Sequence, residues 1–204
     1  MAHDVKAVCA ELIQNWARWR DQGRWAELAT TFHTGGTMTV TWFDGQFPEF
    51  IRRSKASFDA KQSLVKHHLG ASSVEVSGGR ALAETNVTII SRSMLDGFLV
   101  DSTAFGRFLD MLEERDGRWA IANRVCIYEK DRLDPVVPSD AFSKYMASAN
   151  FAVVPAPYRY LGYRLIKAGH KLTPNLLCDG SDETEWAYAV RRHWLRGGDL
   201  AAMA

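Results

Sequence analysis

The sequence predicts an α+β fold: a cone-shaped, curved antiparallel sheet wrapped on N-terminal helices, followed by a helical C-terminal extension. Three observations predict it. Before residue 33, apolar residues recur every three to four positions, the period of a helix face. Between residues 64 and 130, long alternating runs are separated by Gly-Gly and Asp-Gly turns, which are hairpin signals. Beyond a proline-broken segment at 131–140, helical spacing returns. Helices first and strands afterwards is an α+β order. A curved sheet closed against helices leaves a cone, and a cone encloses a pocket.

In chain order, Val5, Val8, Leu12, Trp16 and Trp19 mark one face of a helix over 5–22, which Gly23 ends. A second helix is expected from Trp25 to Phe32. In "TMTVTWFDG", Met38, Val40 and Trp42 alternate with threonines, which predicts one strand closed by Asp44-Gly45. Phe47, Phe50, Ile51, Ser54 and Phe58 return to helical spacing. Four long strands follow, turning at Ser77-Gly78-Gly79, Leu95-Asp96-Gly97 and Arg115-Asp116-Gly117. The segment "DRLDPVVPSD" suggests a division into a cone domain, 1–130, and an extension, 131–204, with helices at 139–149, 157–170 and 182–196. At roughly 70 residues the extension is too short and too polar to fold alone. It is expected to pack across the cone or over a neighbouring subunit.

Composition narrows the function. The chain has 204 residues, 47% of them hydrophobic, with a formal net charge of +1, so nothing draws it to nucleic acid or to an anionic membrane. No export signal is visible at Met1, and no apolar run approaches the ~20 residues that span a bilayer. The three cysteines, Cys9, Cys126 and Cys178, are far apart and form no CxxC clamp, as in a reduced cytoplasmic protein. Seven tryptophans and ten phenylalanines can fill a core or line a pocket for a flat apolar ligand.

The stretch "SLVKHHLG" holds adjacent histidines, His67 and His68. Neighbours on a strand point to opposite faces, so the two rings cannot share a metal ion. His3, His33, His170 and His193 supply no HxxH, HxH or HxxE spacing, and no metal is expected. A histidine acting as a base needs a carboxylate to fix its tautomer and stabilise the imidazolium. Asp21 ends the first helix, where the helix dipole disfavours a negative charge. It therefore either faces water or has a cationic partner in the pocket.

The stretches "WARWRDQGRWAELATTF", "KHHLGASSVEVSGGRALAET" and "GRFLDMLEERDGRWAIANR" together resemble the SnoaL-like branch of the nuclear transport factor 2-like superfamily, over about residues 5–130. The resemblance implies a cystatin-like cone. Scytalone dehydratase and lindane dehydrochlorinase, of that superfamily, use an Asp–His dyad inside the cone. The matching positions here are Asp21, ahead of Trp25, and His67, which opens the first long strand; His68 would then be a bystander. Arg20 stands where scytalone dehydratase has a tyrosine, and Phe105 takes the place of its second histidine, so that enzyme's hydroxylated polyketide substrate is not implied. In SnoaL-like relatives, arginines recur at points corresponding to Arg107 and Arg124. For each, an ion pair to Asp110 or Glu84 is as good a reading as a substrate role. Trp42, Phe47, Phe50 and Tyr128 are candidates for the pocket wall, with core packing as the competing role for each.

No phosphate loop and no GxSxG elbow is present, so chemistry is expected to need no cofactor. The expectation is a carbon–oxygen or carbon–carbon lyase acting on a small hydrophobic, aromatic compound. It would eliminate water, or release formaldehyde as the related diarylpropane lyases do with lignin-derived dimers. An isomerase or polyketide cyclase, or a non-catalytic ligand-binding protein, is the alternative on the same fold. Superfamily members pair through the outer sheet face, so a homodimer or homotrimer is expected.

Overall fold

In the computed structural model, which describes residues 4–61 and 64–200, the first helix, α1 (Val5–Gln22), starts at Asp4, whose side chain accepts from the Lys6 amide. It buries Cys9, Ile13, Trp16 and Ala17 and ends at Gly23, with φ 70°. Gly23 is required there twice over. The left-handed conformation suits glycine, and an added Cβ would come within 3.0 Å of the Phe58 ring. His3 and Ser63 lie outside the described residues.

The second helix, α2 (Trp25–Ala29), is shorter than expected. The Thr31 carbonyl already accepts from Ile121 at 2.9 Å, and Phe32 opens a strand. The expected single strand through Trp42 is a hairpin, β1 (Phe32–Val40) and β2 (Phe43–Gln46), with Thr41 and Trp42 at its turn. Thr41 is held there by Tyr128, whose phenol oxygen accepts from the Thr41 amide at 2.9 Å. The third helix, α3 (Phe47–Asp59), carries Pro48 in its first turn, where the missing N–H costs nothing.

The strands β3 (Leu64–Ser77), β4 (Arg80–Leu95), β5 (Phe98–Arg115) and β6 (Arg118–Pro135) form the antiparallel meander. Asp96-Gly97 and Asp116-Gly117 all have positive φ, as two-residue hairpin turns demand. The sheet order is β2-β1-β6-β5-β4-β3, and β1 runs parallel to β6. The last strand continues past the expected division at 130/131, pairing Ser102 with Leu133 and Val100 with Pro135. Its proline falls beyond the stretch that β1 and β7 pair with, where β6 is an edge and tolerates the missing donor.

The extension forms α4 (Asp140–Ser148), α5 (Arg159–Lys167), the two-residue β7 (Leu177–Cys178) and α6 (Asp182–Leu195). It packs on its own chain, on both faces of the sheet. α5 closes the cone, fixed where the Leu161 amide donates to Asp131 at 2.7 Å. Across the opposite face lies α6, with Trp194 and Leu195 against Leu82 and Met111. Arg107 belongs to this outer side. Its guanidinium meets Glu84 (2.6 Å), Asp179 (2.6 Å) and Glu129, clamping β7 and the start of α6 to the sheet.

At the centre of the core, Arg124 on β6 donates twice to Asp110 on β5, at 2.6 and 2.8 Å, with both side chains fully buried. The guanidinium carbon sits 4.4 Å from the Trp16 ring and 4.2 Å from the Phe108 ring. A charge taken this far from water is tolerated only because its partner is held in fork-to-fork geometry. Asp110→Asn is expected to destabilise the fold by about 3–5 kcal/mol in denaturant titration. The double variant Asp110→Leu/Arg124→Met is expected to recover most of that loss. Because α6 leaves the outer face of β3–β5 only partly covered, with Ile90 and Leu99 exposed, we expect light scattering at micromolar concentration to return a homodimer or homotrimer. A monomer would count against that assembly.

Candidate active site

The last turn of α1 and the first residues of β3 meet at Asp21. Its Oδ2 accepts from the His67 backbone amide at 2.6 Å, and its Oδ1 pairs with His67 Nδ1 at 2.7 Å. Both side chains are 8% exposed. The double contact offsets the unfavourable position of a carboxylate at a helix C-terminus. It also fixes the tautomer: Nδ1 carries the proton toward Asp21, and Nε2 is left with a free lone pair. No side chain among the described residues bonds to Nε2. His68, one residue on, is exposed, as strand alternation requires.

Burial would by itself raise the Asp21 carboxyl, but the His67 hydrogen bonds and charge, with help from Arg20, hold it below the ordinary 3.8. Burial lowers the His67 pKa below 6.5; Asp21 opposes this and the Arg20 and Arg124 charges reinforce it. At neutral pH the pair is thus an ionised carboxylate behind a neutral imidazole. That is the state of a general base.

His67 stands on the wall of a cavity of about 540 Å³ enclosed by the concave sheet face, α1, α3 and α5. That volume suits a compound of one or two aromatic rings. Its walls include Trp16, Trp42, Phe50, Phe108 and Tyr128. The Trp16 ring meets the His67 ring edge-on, with centroids 5.4 Å apart, and Trp42 stacks on Phe50 at 5.3 Å. Exposed Ala56, Met94 and Ala168 mark the mouth.

Three of the four expected wall aromatics are therefore present: Trp42, Phe50 and Tyr128. Phe47 is not. It stacks on Phe32 with centroids 3.7 Å apart, one layer into the core, because the first turn of α3 faces β1 rather than the cavity. Arg107 and Arg124 are not on the cavity wall either. Arg107 points to the outer face by strand alternation, and Arg124 lies beneath the Trp16 and Phe108 rings, supporting them. The ion-pair reading holds for both.

The arginines that do line the cavity are Arg20, Arg52, Arg53 and Arg164. Arg20 precedes the dyad aspartate, 3.8 Å from Asp21 Oδ1. Its sequence neighbourhood was a usable signal, since a residue next to Asp21 at the end of α1 is close to any site built on Asp21. Arg164 and His170 had no such signal; they reach the wall because α5 folds across the cone. Among the described residues no three His, Cys, Asp or Glu side chains gather as metal ligands would. No helix of the described residues is long and apolar enough to cross a membrane.

Known proteins bear on this arrangement. Pea pathogenicity protein 2 of Fusarium vanettenii is 30% identical over 207 residues, which span 93% of this chain and 85% of that protein. A protein of Emericella nidulans is 26% identical over 212 residues, 96% of this chain and 87% of that one. At those coverages the similarity must run on into the C-terminal helices. Among solved structures, a Novosphingobium aromaticivorans protein with the provisional name scytalone dehydratase superposes with a TM-score of 0.51 at 16% identity, over 64% of this chain and 91% of that one. Likeness at that identity speaks for the fold alone. Residues 3–125, more than half of the sequence and including both dyad residues, match the SnoaL-like domain, and the chain belongs to that family.

Proposed function

We propose that the protein is a cofactor-independent lyase acting on a small hydrophobic, aromatic compound by Asp–His acid–base chemistry. One observation carries the reading: an imidazole oriented by a buried carboxylate, with no side-chain partner on Nε2 among the described residues, stands on the wall of an aromatic cavity. In a dehydration, His67 Nε2 takes a proton from carbon, a double bond forms, and the C–O bond breaks. The leaving hydroxide departs as water with the imidazolium proton. In a formaldehyde-releasing cleavage, Nε2 takes the proton of a hydroxymethyl group and the C–C bond breaks. The carbanion left behind is then protonated by the imidazolium. Asp21 stabilises the imidazolium in both. Arg20, on the wall beside the dyad, is the guanidinium available to a developing oxyanion.

A panel of aryl alcohols, diarylpropanediols and hydroxyketones, read by mass spectrometry, should yield a product lighter by water or by formaldehyde. Conversion without mass change would instead favour an isomerase or cyclase. With a substrate found, His67→Ala is expected to lower kcat by about 10²–10⁴-fold, in a chain that still folds but melts at a lower temperature because the buried Asp21 carboxylate keeps only the backbone amide. Asp21→Asn is expected to cost up to about 10⁴-fold, because an amide cannot accept from both His67 donors and favours the wrong tautomer. His68→Ala should leave turnover within about twofold of the parent. A near-normal rate for His67→Ala would sink the dyad.

The pH profile supplies a further check. The base works only when neutral, and its depressed pKa means that the neutral form prevails down to below the ordinary 6.5. Activity should therefore be level at neutral pH and fall as pH drops through an inflection below that value. An acid limb centred above 6.5 would contradict the assignment of His67 as the base.

A further inference from the structure

The charge on the cavity wall is one-sided. Among the described residues four arginines line it and no aspartate or glutamate does. Two of the four have local partners. Arg52, at the mouth, is paired with Glu49 at 2.7 and 2.6 Å, and Arg53 donates to the Trp42 carbonyl at 3.2 Å. Arg20 has only a carboxylate already bonded twice by His67. Arg164 has nothing: it is 8% exposed, its Nε is buried without a partner, and among the described residues no carboxylate or carbonyl meets its guanidinium. Burial pushes its pKa down to about 10, which still leaves it charged at neutral pH.

A buried guanidinium without a counter-charge costs free energy, and a cavity that keeps one is complete only with an anion in it. The cavity has two electrostatic neighbourhoods. Burial lowers both histidines, but the charges beside His67 are those of Asp21, Arg20 and Arg124, whereas those beside His170 are Arg53 and Arg164. The second neighbourhood lies where α5 meets α3, away from the dyad. It is bordered by Trp42, whose ring lies 5.3 Å from the Arg53 guanidinium and 6.4 Å from the His170 ring.

We propose that the cavity selects an aromatic carboxylate, with Arg164 holding the anionic group beside Arg53 and the rest of the ligand reaching the dyad. This rests on the reading of the cavity as the substrate site and adds the substrate class. Arginine's planar fork matches a carboxylate, and the aromatic walls accept the ring it is attached to.

The test is calorimetric titration of the full chain with three acid and amide pairs of matched shape: benzoate, cinnamate and 2-naphthoate against their primary amides. The acids should bind at least about tenfold more tightly than the amides, the worth of one charge-assisted pair. Arg164→Met should bring acid and amide to within about twofold while leaving amide affinity and melting temperature unchanged or raised. Arg164→Lys should retain part of the preference. Absence of an acid preference across the pairs overturns the proposal, as does a preference that survives Arg164→Met. Loss of amide binding in both variants would mark Arg164 as structural and overturn it too. Binding and turnover separate the two readings. An acid preference without any eliminated product keeps this inference and sinks the lyase; turnover of neutral compounds without an acid preference does the reverse.

Discussion

The Asp21 carboxylate joins the C-terminal end of α1 to the opening of β3, the edge strand of the sheet, and so ties together two walls of the cavity. One oxygen takes the His67 backbone amide and the other its ring nitrogen. A second tie, from the Gln14 side chain to the Gly70 carbonyl at 2.9 Å, runs along the same helix–strand contact. Together with the buried face of α1, formed by Cys9, Ile13, Trp16 and Ala17, these ties hold the helix against the edge strand. The bond that ties helix to strand is also the bond that orients the imidazole, so the scaffold and the proposed chemistry share one residue pair.

The aromatic wall is held in a comparable way. Trp16 and Phe108 meet edge-to-face with centroids 5.4 Å apart, and the Arg124–Asp110 pair lies against both. An ion pair with no exposure at all is weak evidence for stability in itself, since apolar residues could fill the space. Its geometric effect is plain: the guanidinium plane fixes two rings, and one of those rings packs on His67. Arg124 thus acts on the dyad through Trp16 rather than by contact with a ligand.

The C-terminal extension does two different jobs on the two faces of the sheet. α5 brings Leu161, Arg164 and Leu165 to the cavity and turns an open cone into an enclosed one. Gly162 allows its close approach, since a Cβ there would come within 2.6 Å of Val154. α6 covers part of the outer face and is tied to it by the Arg107 network and by Tyr188, which donates to Glu84 at 2.7 Å. Outer sheet surface used in this way is no longer free for a second subunit.

The first and third helices, the four long strands with their three turns and the α+β order were legible in the sequence because they are local, whereas the early end of α2 and the hairpin of β1 with β2 were not. Apolar period, Asp-Gly turns and a helix-ending glycine act between residues a few positions apart. Asp21 and His67 were legible through family resemblance, and alternation alone separated His67 from His68. The parallel pairing of β1 with β6, the removal of Phe47 to the core and the outward direction of Arg107 were decided only in three dimensions. So was the gathering of Arg20, Arg53 and Arg164 around one cavity. Arg20 and Arg164 are more than a hundred residues apart, and no period or spacing relates them. What brings them together is the docking of α5 over the mouth of the cone, and that depends on the summed packing of the whole sheet rather than on any short stretch of chain.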